Sequence, residues 1–509
     1  MLATIPWASD LLATTNAHAE RIAVHDGERG ITFRELAGRA ARIAHLLRER
    51  GIQPGQPVAT SLRNGIPAVW TGVGLRLAGV AETALSAGYT EAERRHALTL
   101  SGARLVLTTR SEAASFRDLG CDAVTIEDIP EAPGDLTTLP PVPGEAWARI
   151  GFTSGTTGAP KAIITTHEAR FIGNLLQRAS FGTMPGPGSR VLLMTPFIHG
   201  AGLLAHAFND RGAAFVLLDG VDIPRITRLL GAEEIDHIFA PPTVLAKLVS
   251  AFEGRLFFGI RTVFCGTAPL SRTLYAKARE LFGPVIRVTY GKSEINNPIA
   301  ALSPDECDDY YTREAEQDGV CVGFPGTGVE IEIRDDDGAR CASGDVGEVH
   351  LRGRHMSIGH ADAGGFHPLP PDGFHATGDL GRIDARGRLH LVGRMADVIK
   401  SGGYKIHPDE IEQALAGSAG SAAIAILSLP SEYWGEVIVA VAETSDANWP
   451  ERARASLGTL SRHKHPRAFL TRGELPRNPQ GKIMRRLIRA ALLEEYALID
   501  GPHPRLERR

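Results

Sequence analysis

A loop of small and hydroxyl-bearing residues that ends in a lysine is the first part of the sequence that could do chemistry. It runs Thr153, Ser154, Gly155, Thr156, Thr157, Gly158, Ala159, Pro160, Lys161, directly after the strand-like segment Ala148–Phe152. Glycines leave backbone N–H groups uncovered, hydroxyls add donors and the lysine adds positive charge, all of which suit phosphate oxygens. The composition predicts a phosphate-binding loop, and a plain flexible loop is the alternative.

The loop is not the P-loop of the common nucleotide triphosphatases, which requires Gly, four residues and then Gly-Lys-Ser/Thr. Gly291-Lys292-Ser293 has the end of that pattern, but Ile286 stands where the first glycine is required. Gly481-Lys482 is followed by Ile483. Phosphate binding here would therefore depend on a different arrangement.

The elements that would position this loop follow an α/β pattern. Short apolar runs alternate with helical stretches, as at 57–62, 104–107, 191–195, 215–218, 237–240, 261–265 and 285–290. Thr32-Phe33-Arg34-Glu35 is a capping box, and the helix that it begins should end near Gly51. Another helix should begin after Ser271 and end at Gly283. This alternation predicts a mostly parallel sheet covered by helices.

The pattern changes twice towards the C-terminus. Residues 327–333, 347–352 and 381–393 are short alternating runs separated by Gly, Asp and Pro, which indicates a small antiparallel unit. From about residue 398 a helix is expected at 408–415, strands at 422–427 and 436–442, and a last helix at 483–497. These elements are enough for a separate α+β domain.

Composition narrows the class of protein. The 509 residues are too many for one ordinary core, and the net charge of −4 gives no support for nucleic-acid or anionic-membrane binding. The five cysteines have neither disulfide nor zinc-ligand spacing, which fits a reducing compartment. The N-terminus does not have the pattern of a secretory signal, and no apolar run is long enough to span a bilayer. We expect a cytoplasmic protein.

The segments that could carry chemistry form an ordered series. After the 153–161 loop come PFIHGAGL at 196–203, GTAPL at 266–270, YGKSE at 290–294, TGDL at 377–380, GRMADVIKSGG at 393–403, PDEIE at 408–412 and NPQGK at 478–482. The series resembles the motifs of the adenylate-forming superfamily. This superfamily comprises acyl- and aryl-CoA ligases, nonribosomal-peptide adenylation domains and luciferases, and the resemblance favours the ligases. An ordered set that covers nearly the whole chain is far more specific than any single motif.

The resemblance implies an α/β fold in two parts. Residues 1–396 would form a large N-terminal domain of mostly parallel sheets covered by helices, with a small distorted β-barrel at about 320–396. Residues 397–509 would form a smaller, mobile α+β lid domain, with its hinge at Asp397.

The resemblance also implies catalytic roles. Lys482 would bridge the substrate carboxylate and the α-phosphate, where two anions must be brought together. Glu294 would hold Mg²⁺, for which one carboxylate is enough because the ion keeps several waters. His199 would gate the route to the carboxylate, with a structural histidine as the alternative.

The remaining predicted site residues fall into three groups. Those implied for ATP and AMP are Thr153, Ser154, Gly155, Thr156, Thr157, Gly158, Lys161, Gly266, Thr267, Ala268, Pro269, Tyr290, Gly291, Ser293, Asp379 and Arg394. Asp379 would accept from the ribose hydroxyls, and Tyr290 would stack on adenine. The acyl pocket would contain Phe197, His199, Gly200, Gly266 and Gly291. The CoA pantetheine arm would lie along Lys400, Ser401, Gly402, Gly403 and Tyr404.

The implied activity is ATP-dependent conversion of a carboxylic acid to an acyl-adenylate, followed by transfer to the thiol of coenzyme A. The alternative is a stand-alone enzyme that loads the acyl group onto the pantetheine of a carrier protein. The implied partners are the acid, ATP, Mg²⁺ and CoA, with no nucleic acid and no membrane span, in a monomer or homodimer. The sequence departs from the motifs at Ser293, which keeps the usual hydroxyl, and at Thr289, which adds bulk beside the pocket.

Overall fold

A computed structural model of the chain describes residues 2–130, 132–153, 161–314, 319–420, 422–478 and 481–509. Its helices are α1 Trp7–His18, α2 Phe33–Glu49, α3 Ile66–Ala78, α4 Glu91–Ser101, α5 Arg110–Asp118, α6 His167–Ala179, α7 Gly202–Asn209, α8 Ile223–Gly231, α9 Pro242–Ala251, α10 Arg272–Phe282, α11 Pro304–Arg313, α12 Pro408–Leu415, α13 Trp449–Ser456 and α14 Arg485–Glu495. Its strands in the first half are β1 Thr4–Ile5, β2 Ile22–His25, β3 Gly30–Thr32, β4 Pro57–Ser61, β5 Ala81–Leu85, β6 Leu105–Thr108, β7 Asp122–Thr125, β8 Val142–Pro143, β9 Trp147–Thr153, β10 Lys161–Thr166, β11 Arg190–Leu193, β12 Ala214–Leu217 and β13 His237–Phe239. The later strands are β14 Thr262–Gly266, β15 Ile286–Lys292, β16 Ile295–Leu302, β17 Val320–Pro325, β18 Val329–Arg334, β19 Gly347–Gly353, β20 Gly359–Asp362, β21 Gly365–Pro368, β22 His375–Ile383, β23 Leu389–Arg394, β24 Ile399–Ser401, β25 Tyr404–Ile406, β26 Ile424–Ser431, β27 Gly435–Glu443, β28 Ala468–Arg472, β29 Tyr496–Ile499 and β30 Arg505–Arg508.

Local sequence signals set where several helices begin. At the start of α2 the Thr32 hydroxyl accepts from the Glu35 N–H, and the Glu35 carboxylate accepts from the Thr32 N–H at 2.7 Å. The predicted capping box is confirmed. The Ser271 hydroxyl likewise accepts from the Leu274 N–H to begin α10, as expected. Such caps satisfy backbone donors that the helix itself leaves unpaired.

One sheet holds the strands on both sides of the phosphate-loop candidate. Among the described residues it has eight strands in the order β21-β20-β10-β9-β5-β4-β6-β7. The strands β9, β5, β4, β6 and β7 are parallel neighbours, whereas β10, β20 and β21 are added in antiparallel orientation. Because β9 and β10 pair directly, Thr153 and Lys161 lie opposite each other at the two ends of the loop.

The second sheet carries most of the other candidate residues. Its described order is β18-β19-β22-β23-β17-β16-β15-β14-β13-β11-β12-β2-β3. Strands β2 and β11 to β15 form its parallel part, as the alternating pattern predicts. The β-rich region expected at about 320–396 continues this sheet as antiparallel strands. Its residues Ile333, Val349 and Leu351 belong to an apolar cluster shared with β15 and β16.

The last part of the chain has its own sheet and apolar clusters. Strands β25, β24, β27 and β26 are neighbours, and β28 pairs with β27 in parallel. One face packs on α12 and α13 through residues such as Ile411 and Trp449, and the other packs on α14 through Ile488 and Leu492. The helix expected at 408–415 has the predicted bounds.

Within the described ranges, no helix is both long and apolar enough to cross a bilayer.

Candidate active site

Asp379 is the centre of a buried polar cluster between β15, β22 and β23. The Tyr290 hydroxyl donates to its Oδ2 at 2.5 Å, the Lys292 ammonium lies 3.3 Å from the same oxygen, and Arg394 Nε lies 3.0 Å from Oδ1. Lys292 also donates to the Thr377 carbonyl at 2.8 Å. Burial and the Asp379 charge raise the pKa of Tyr290 well above its usual value, so this hydroxyl stays a donor.

Glu294 lies in the tight connection between β15 and β16. Its backbone carbonyl accepts from the Ser357 N–H at 2.7 Å, and its side chain is 17% exposed. His375 Nε2 lies 3.9 Å from its carboxylate, and burial lowers the pKa of His375, which favours the neutral ring. A mostly buried carboxylate beside a neutral imidazole offers the hard oxygen donor that Mg²⁺ takes. Gly291, predicted for both the nucleotide and the acyl pocket, is partly buried, and Ser293, predicted for the nucleotide, is exposed. Both are close to Glu294 in the sequence.

Lys482 lies in a turn that reaches from the C-terminal unit to α9. The Lys482 N–H donates to Asn478 Oδ1 at 2.9 Å, and the Gly481 N–H donates to the Asn478 carbonyl at 2.8 Å. Gly481 has a φ of 81°, and a Cβ there would lie 3.1 Å from Thr243 Oγ1. A side chain at residue 481 would therefore be strained and would press against α9.

Charged groups near Lys482 act on its pKa in opposite directions. Burial, Arg394 and Lys292 lower the pKa of Lys482, Asp379 and Glu294 raise it, and the outcome is about 8. The Lys482 residue is still exposed to solvent and is not enclosed in a core. The structure thus brings the predicted catalytic lysine, metal ligand and ribose acceptor into one electrostatic neighbourhood.

The segment around His199 is fixed by polar contacts from other elements. Asn64 accepts from the Phe197 N–H at 2.8 Å, and the Arg149 guanidinium donates to the Ile198 carbonyl. His199 interrupts a π-helical turn with φ −118° and ψ −149°. Burial and then Arg149 lower the pKa of His199 to about 4, so its ring is neutral near pH 7. A neutral ring is what the predicted gate requires, and a structural role has the same requirement.

Phe197 contributes to the core more than to an open pocket wall. It is 6% exposed, and its ring stacks on Phe215 with 6.0 Å between centroids. A Cβ on Gly200 would lie 3.9 Å from the Phe239 ring, an ordinary contact distance. Gly200 is thus not required by crowding within the described structure.

The predicted adenine-side loop leaves the carboxyl end of β14. Gly266 faces Thr289 of β15 so closely that a Cβ would lie 2.6 Å from the Thr289 hydroxyl oxygen. Thr267 has a φ of 70°, unusual for a residue with a side chain, and Thr267, Ala268 and Pro269 are exposed. Exposed residues at the carboxyl ends of parallel strands are well placed to meet a ligand.

The segment expected to contact pantetheine, Lys400–Tyr404, is the hairpin of β24 and β25. A Cβ on Gly402 would lie 3.1 Å from the Trp434 ring, and the Tyr404 ring stacks on His463 at 4.1 Å. The described contacts of this hairpin are thus with its own C-terminal unit.

Asp397, the predicted hinge, is held by a residue close in sequence to the predicted catalytic lysine. Arg485 donates to the Asp397 carboxylate at 2.7 Å, to Asp409 at 2.7 Å and to Glu412 at 2.8 Å. Arg485 follows Lys482 by three residues, so the hinge and the lysine turn are joined by one side chain.

The predicted phosphate loop is only partly within the described residues. Ser154, Gly155, Thr156, Thr157 and Gly158 lie outside the described residues, as does the side chain of Thr153. Lys161 is described, partly buried, at the start of β10.

Sequence reasoning did not select Lys292, His375, Arg149 or Arg485. Lys292 follows Tyr290 by two residues in β15, a spacing that in a regular strand predicts both side chains on one face, so that signal was available. The other three have partners far away in the sequence, and no local pattern identifies them.

The chain is similar in sequence to known AMP-binding enzymes and CoA ligases. A family model described as AMP-binding enzyme matches residues 11–360. The chain is 28% identical to a 2-succinylbenzoate–CoA ligase of Bacillus licheniformis (92% of this chain, 96% of the relative). It is 27% identical to a feruloyl-CoA synthase of Amycolatopsis sp (92% and 95%).

Solved structures resemble the whole chain as well. An o-succinylbenzoate CoA synthetase of Bacillus subtilis in complex with its acyl-adenylate intermediate aligns with TM-score 0.82 at 25% identity (96% of this chain, 98% of that chain). The same enzyme with ATP and magnesium ion aligns with TM-score 0.80 at 24% identity (94% and 98%).

Proposed function

The chain belongs to the AMP-binding enzyme family, and from that premise we propose that it is an AMP-forming acid–CoA ligase. It activates a carboxylic acid with ATP as an acyl-adenylate and transfers the acyl group to the thiol of CoA. The observation that supports this most strongly is the convergence of Lys482, Glu294 and Asp379 from three distant parts of the chain. The relatives named as CoA ligases support the choice of acceptor.

The residues around Lys482 suit the first step. A carboxylate oxygen of the acid attacks the α-phosphorus of ATP, and the bond from that phosphorus to the pyrophosphate oxygen breaks, with its electron pair leaving on pyrophosphate. Lys482 offers a cation between the two anions, and Lys161 adds positive charge at the end of the phosphate loop. Glu294 would hold Mg²⁺, which supplies neutralisation of phosphate charge when bound.

The second step requires a different approach to the same carbonyl. The CoA thiolate attacks the acyl carbon, the carbon–oxygen bond to AMP breaks, and AMP leaves with that electron pair. We infer that residues 397–509 rotate about Asp397 between the steps, which moves Lys482 away and brings the Gly402-Gly403 hairpin to the site. The separate apolar clusters of the C-terminal unit support this division of the chain at 396/397.

The proposal is tested by ATP–pyrophosphate exchange over a panel of carboxylic acids, each followed by thioester formation with CoA or with pantetheine on a carrier protein. We expect at least one acid to support exchange and CoA to accept its acyl group. Exchange without transfer to CoA but with transfer to the carrier protein would favour the loading enzyme. ATP binding without exchange for any acid would overturn the proposal. A cytoplasmic location is part of the proposal and agrees with five free cysteines.

A further inference from the structure

A hairpin outside the proposed catalytic groups carries two imidazoles and one carboxylate on the same face. His360 and Asp362 are two residues apart in β20, so their side chains point to one side of the sheet. His367 of β21 is the direct cross-strand neighbour of His360. One ligand atom from each of these three residues lies within 4.8 Å of the others.

The three side chains are already close to a coordinating arrangement. His367 Nε2 lies 2.9 Å from Asp362 Oδ1, and the rings of His360 and His367 stack with 5.0 Å between centroids. Ligand atoms around tetrahedral zinc lie about 3.3 Å apart, given metal–nitrogen distances of about 2.0–2.1 Å. A metal ion would take the place of the proton that His367 and Asp362 share, with small side-chain rotations.

The backbone of the hairpin holds these groups in place. Asp362 Oδ1 accepts from the Gly364 N–H in the turn at 2.8 Å, which orients the carboxylate. Strand β20 is anchored in the eight-stranded sheet by its pairing with β10, and Phe366 packs near Trp147 with 6.3 Å between ring centroids. Three ligands on so short a hairpin leave a fourth position open to water or to an anionic ligand.

The donor set distinguishes this cluster from the magnesium ligand Glu294. Two imidazoles and one carboxylate are preferred by Zn²⁺ and its first-row neighbours, whereas Mg²⁺ prefers oxygen donors alone. His360 pairs with Ile163 of β10, two residues after Lys161, so an ion here would add positive charge near the phosphate loop.

We propose that His360, Asp362 and His367 form a binding site for a divalent transition metal such as Zn²⁺. The inference does not depend on the ligase function, because it concerns metal binding by the free enzyme.

The test is a Zn²⁺ titration of the full-length protein, purified without a histidine tag and stripped with a chelator, in competition with a chromophoric zinc chelator. We expect the His367→Ala and Asp362→Asn variants each to bind one equivalent of zinc fewer than the wild type, or to bind that zinc at least about tenfold more weakly. His503→Ala is the matched control, since His503 is an exposed histidine in the C-terminal unit. It should bind zinc as the wild type does.

A second readout separates ligation from a general effect on folding. Co²⁺ in place of Zn²⁺ should give visible absorption bands of four-coordinate nitrogen and oxygen ligation, and His360→Ala should abolish them at unchanged thermal stability. Equal zinc binding by the wild type and His367→Ala would overturn the proposal. So would a cobalt spectrum dominated by sulfur ligation, because the ligands would then be cysteines.

Discussion

At the level of single residues, the Asp379 carboxylate is balanced by two cations and one hydroxyl. Tyr290, Lys292 and Arg394 all contact it, and its side chain is only 5% exposed. Removing its charge would leave the buried Lys292 ammonium without this partner, which costs more than the loss of one ordinary hydrogen bond.

We therefore expect Asp379→Asn to raise the KM for ATP by about 10- to 100-fold, as for loss of a charged partner. Tyr290→Phe should change the same KM only a few-fold, because the ring stays and Asp379 keeps Lys292 and Arg394. Steady-state pyrophosphate exchange measures the KM for ATP of both variants. A larger defect in Tyr290→Phe than in Asp379→Asn would contradict this account of the cluster.

Lys482→Ala should lower the adenylation rate by about 10²- to 10³-fold, the range for removal of one transition-state stabilising group. Thioester formation from supplied acyl-adenylate should stay nearly unchanged, because the proposed mechanism uses the lysine only in the first step. Lys277→Ala, on the exposed face of α10, is the matched control. Equal loss of both half-reactions would count against a role restricted to adenylation.

The pKa of about 8 for Lys482 predicts a pH dependence of adenylation. Only the protonated ammonium stabilises the two anions, so kcat/KM for adenylation should fall as the pH rises through about 8. Lys482→Arg stays protonated in that range and should lose this falling limb, even if its maximum rate is lower. An unchanged falling limb in the arginine variant would assign the ionisation to another group.

At the level of elements, Arg485 at the start of α14 connects the lysine turn to the hinge. Its guanidinium contacts the carboxylates of Asp397, Asp409 and Glu412. Without Arg485, these three carboxylates would lie close together and lose the cation that contacts all of them. These contacts accompany an arrangement in which Asp379 and Glu294 are near enough to raise the pKa of Lys482.

Arg485→Gln should therefore reduce adenylation more than thioester formation from supplied acyl-adenylate, by about tenfold in the ratio of the two rates, a shift worth about 1.4 kcal/mol. Arg485→Lys should restore part of this ratio. Arg486→Gln, at the exposed neighbouring position, should leave it unchanged. If Arg485→Gln lowers both rates equally, together with the melting temperature, its role is in stability only.

The sequence could predict an element where the residues that determine it are neighbours in the chain, and could not where they are far apart. The Thr32–Glu35 capping box and the helix at 408–415 are encoded by neighbouring residues, and the structure confirms them. The run expected at 381–393 is divided between β22 and β23, because a turn closed by Asp384 and Arg388 separates them. The contact between Arg485 and Asp397 spans 88 residues, and no local pattern predicts it.

At the level of the whole molecule, the proposed two-step mechanism has the C-terminal unit present two different faces to one site. The apolar clusters of residues 399–506 are separate from those of the large unit, so rotation would not break a shared core. Such rotations concentrate backbone change at a few residues.

Asp397→Pro should slow the rotation, because proline fixes φ near −65° and restricts the preceding residue. We expect adenylation to be retained and thioester formation to fall by at least about tenfold, the size of a barrier increase near 1.4 kcal/mol. Asp397→Ala, which loses the Arg485 contact but keeps a free φ, is the comparison. If both variants behave alike, the effect belongs to the lost ion pair and not to the hinge.

The hairpin of β20 and β21 has a consequence for the behaviour of the protein at high concentration. Strand β21 ends its sheet, so its outer backbone groups could pair with another molecule and extend the sheet. It is only four residues long, it ends at Pro368, which has no N–H to donate, and its partner strand carries Asp362. These features oppose sheet-to-sheet aggregation at this edge.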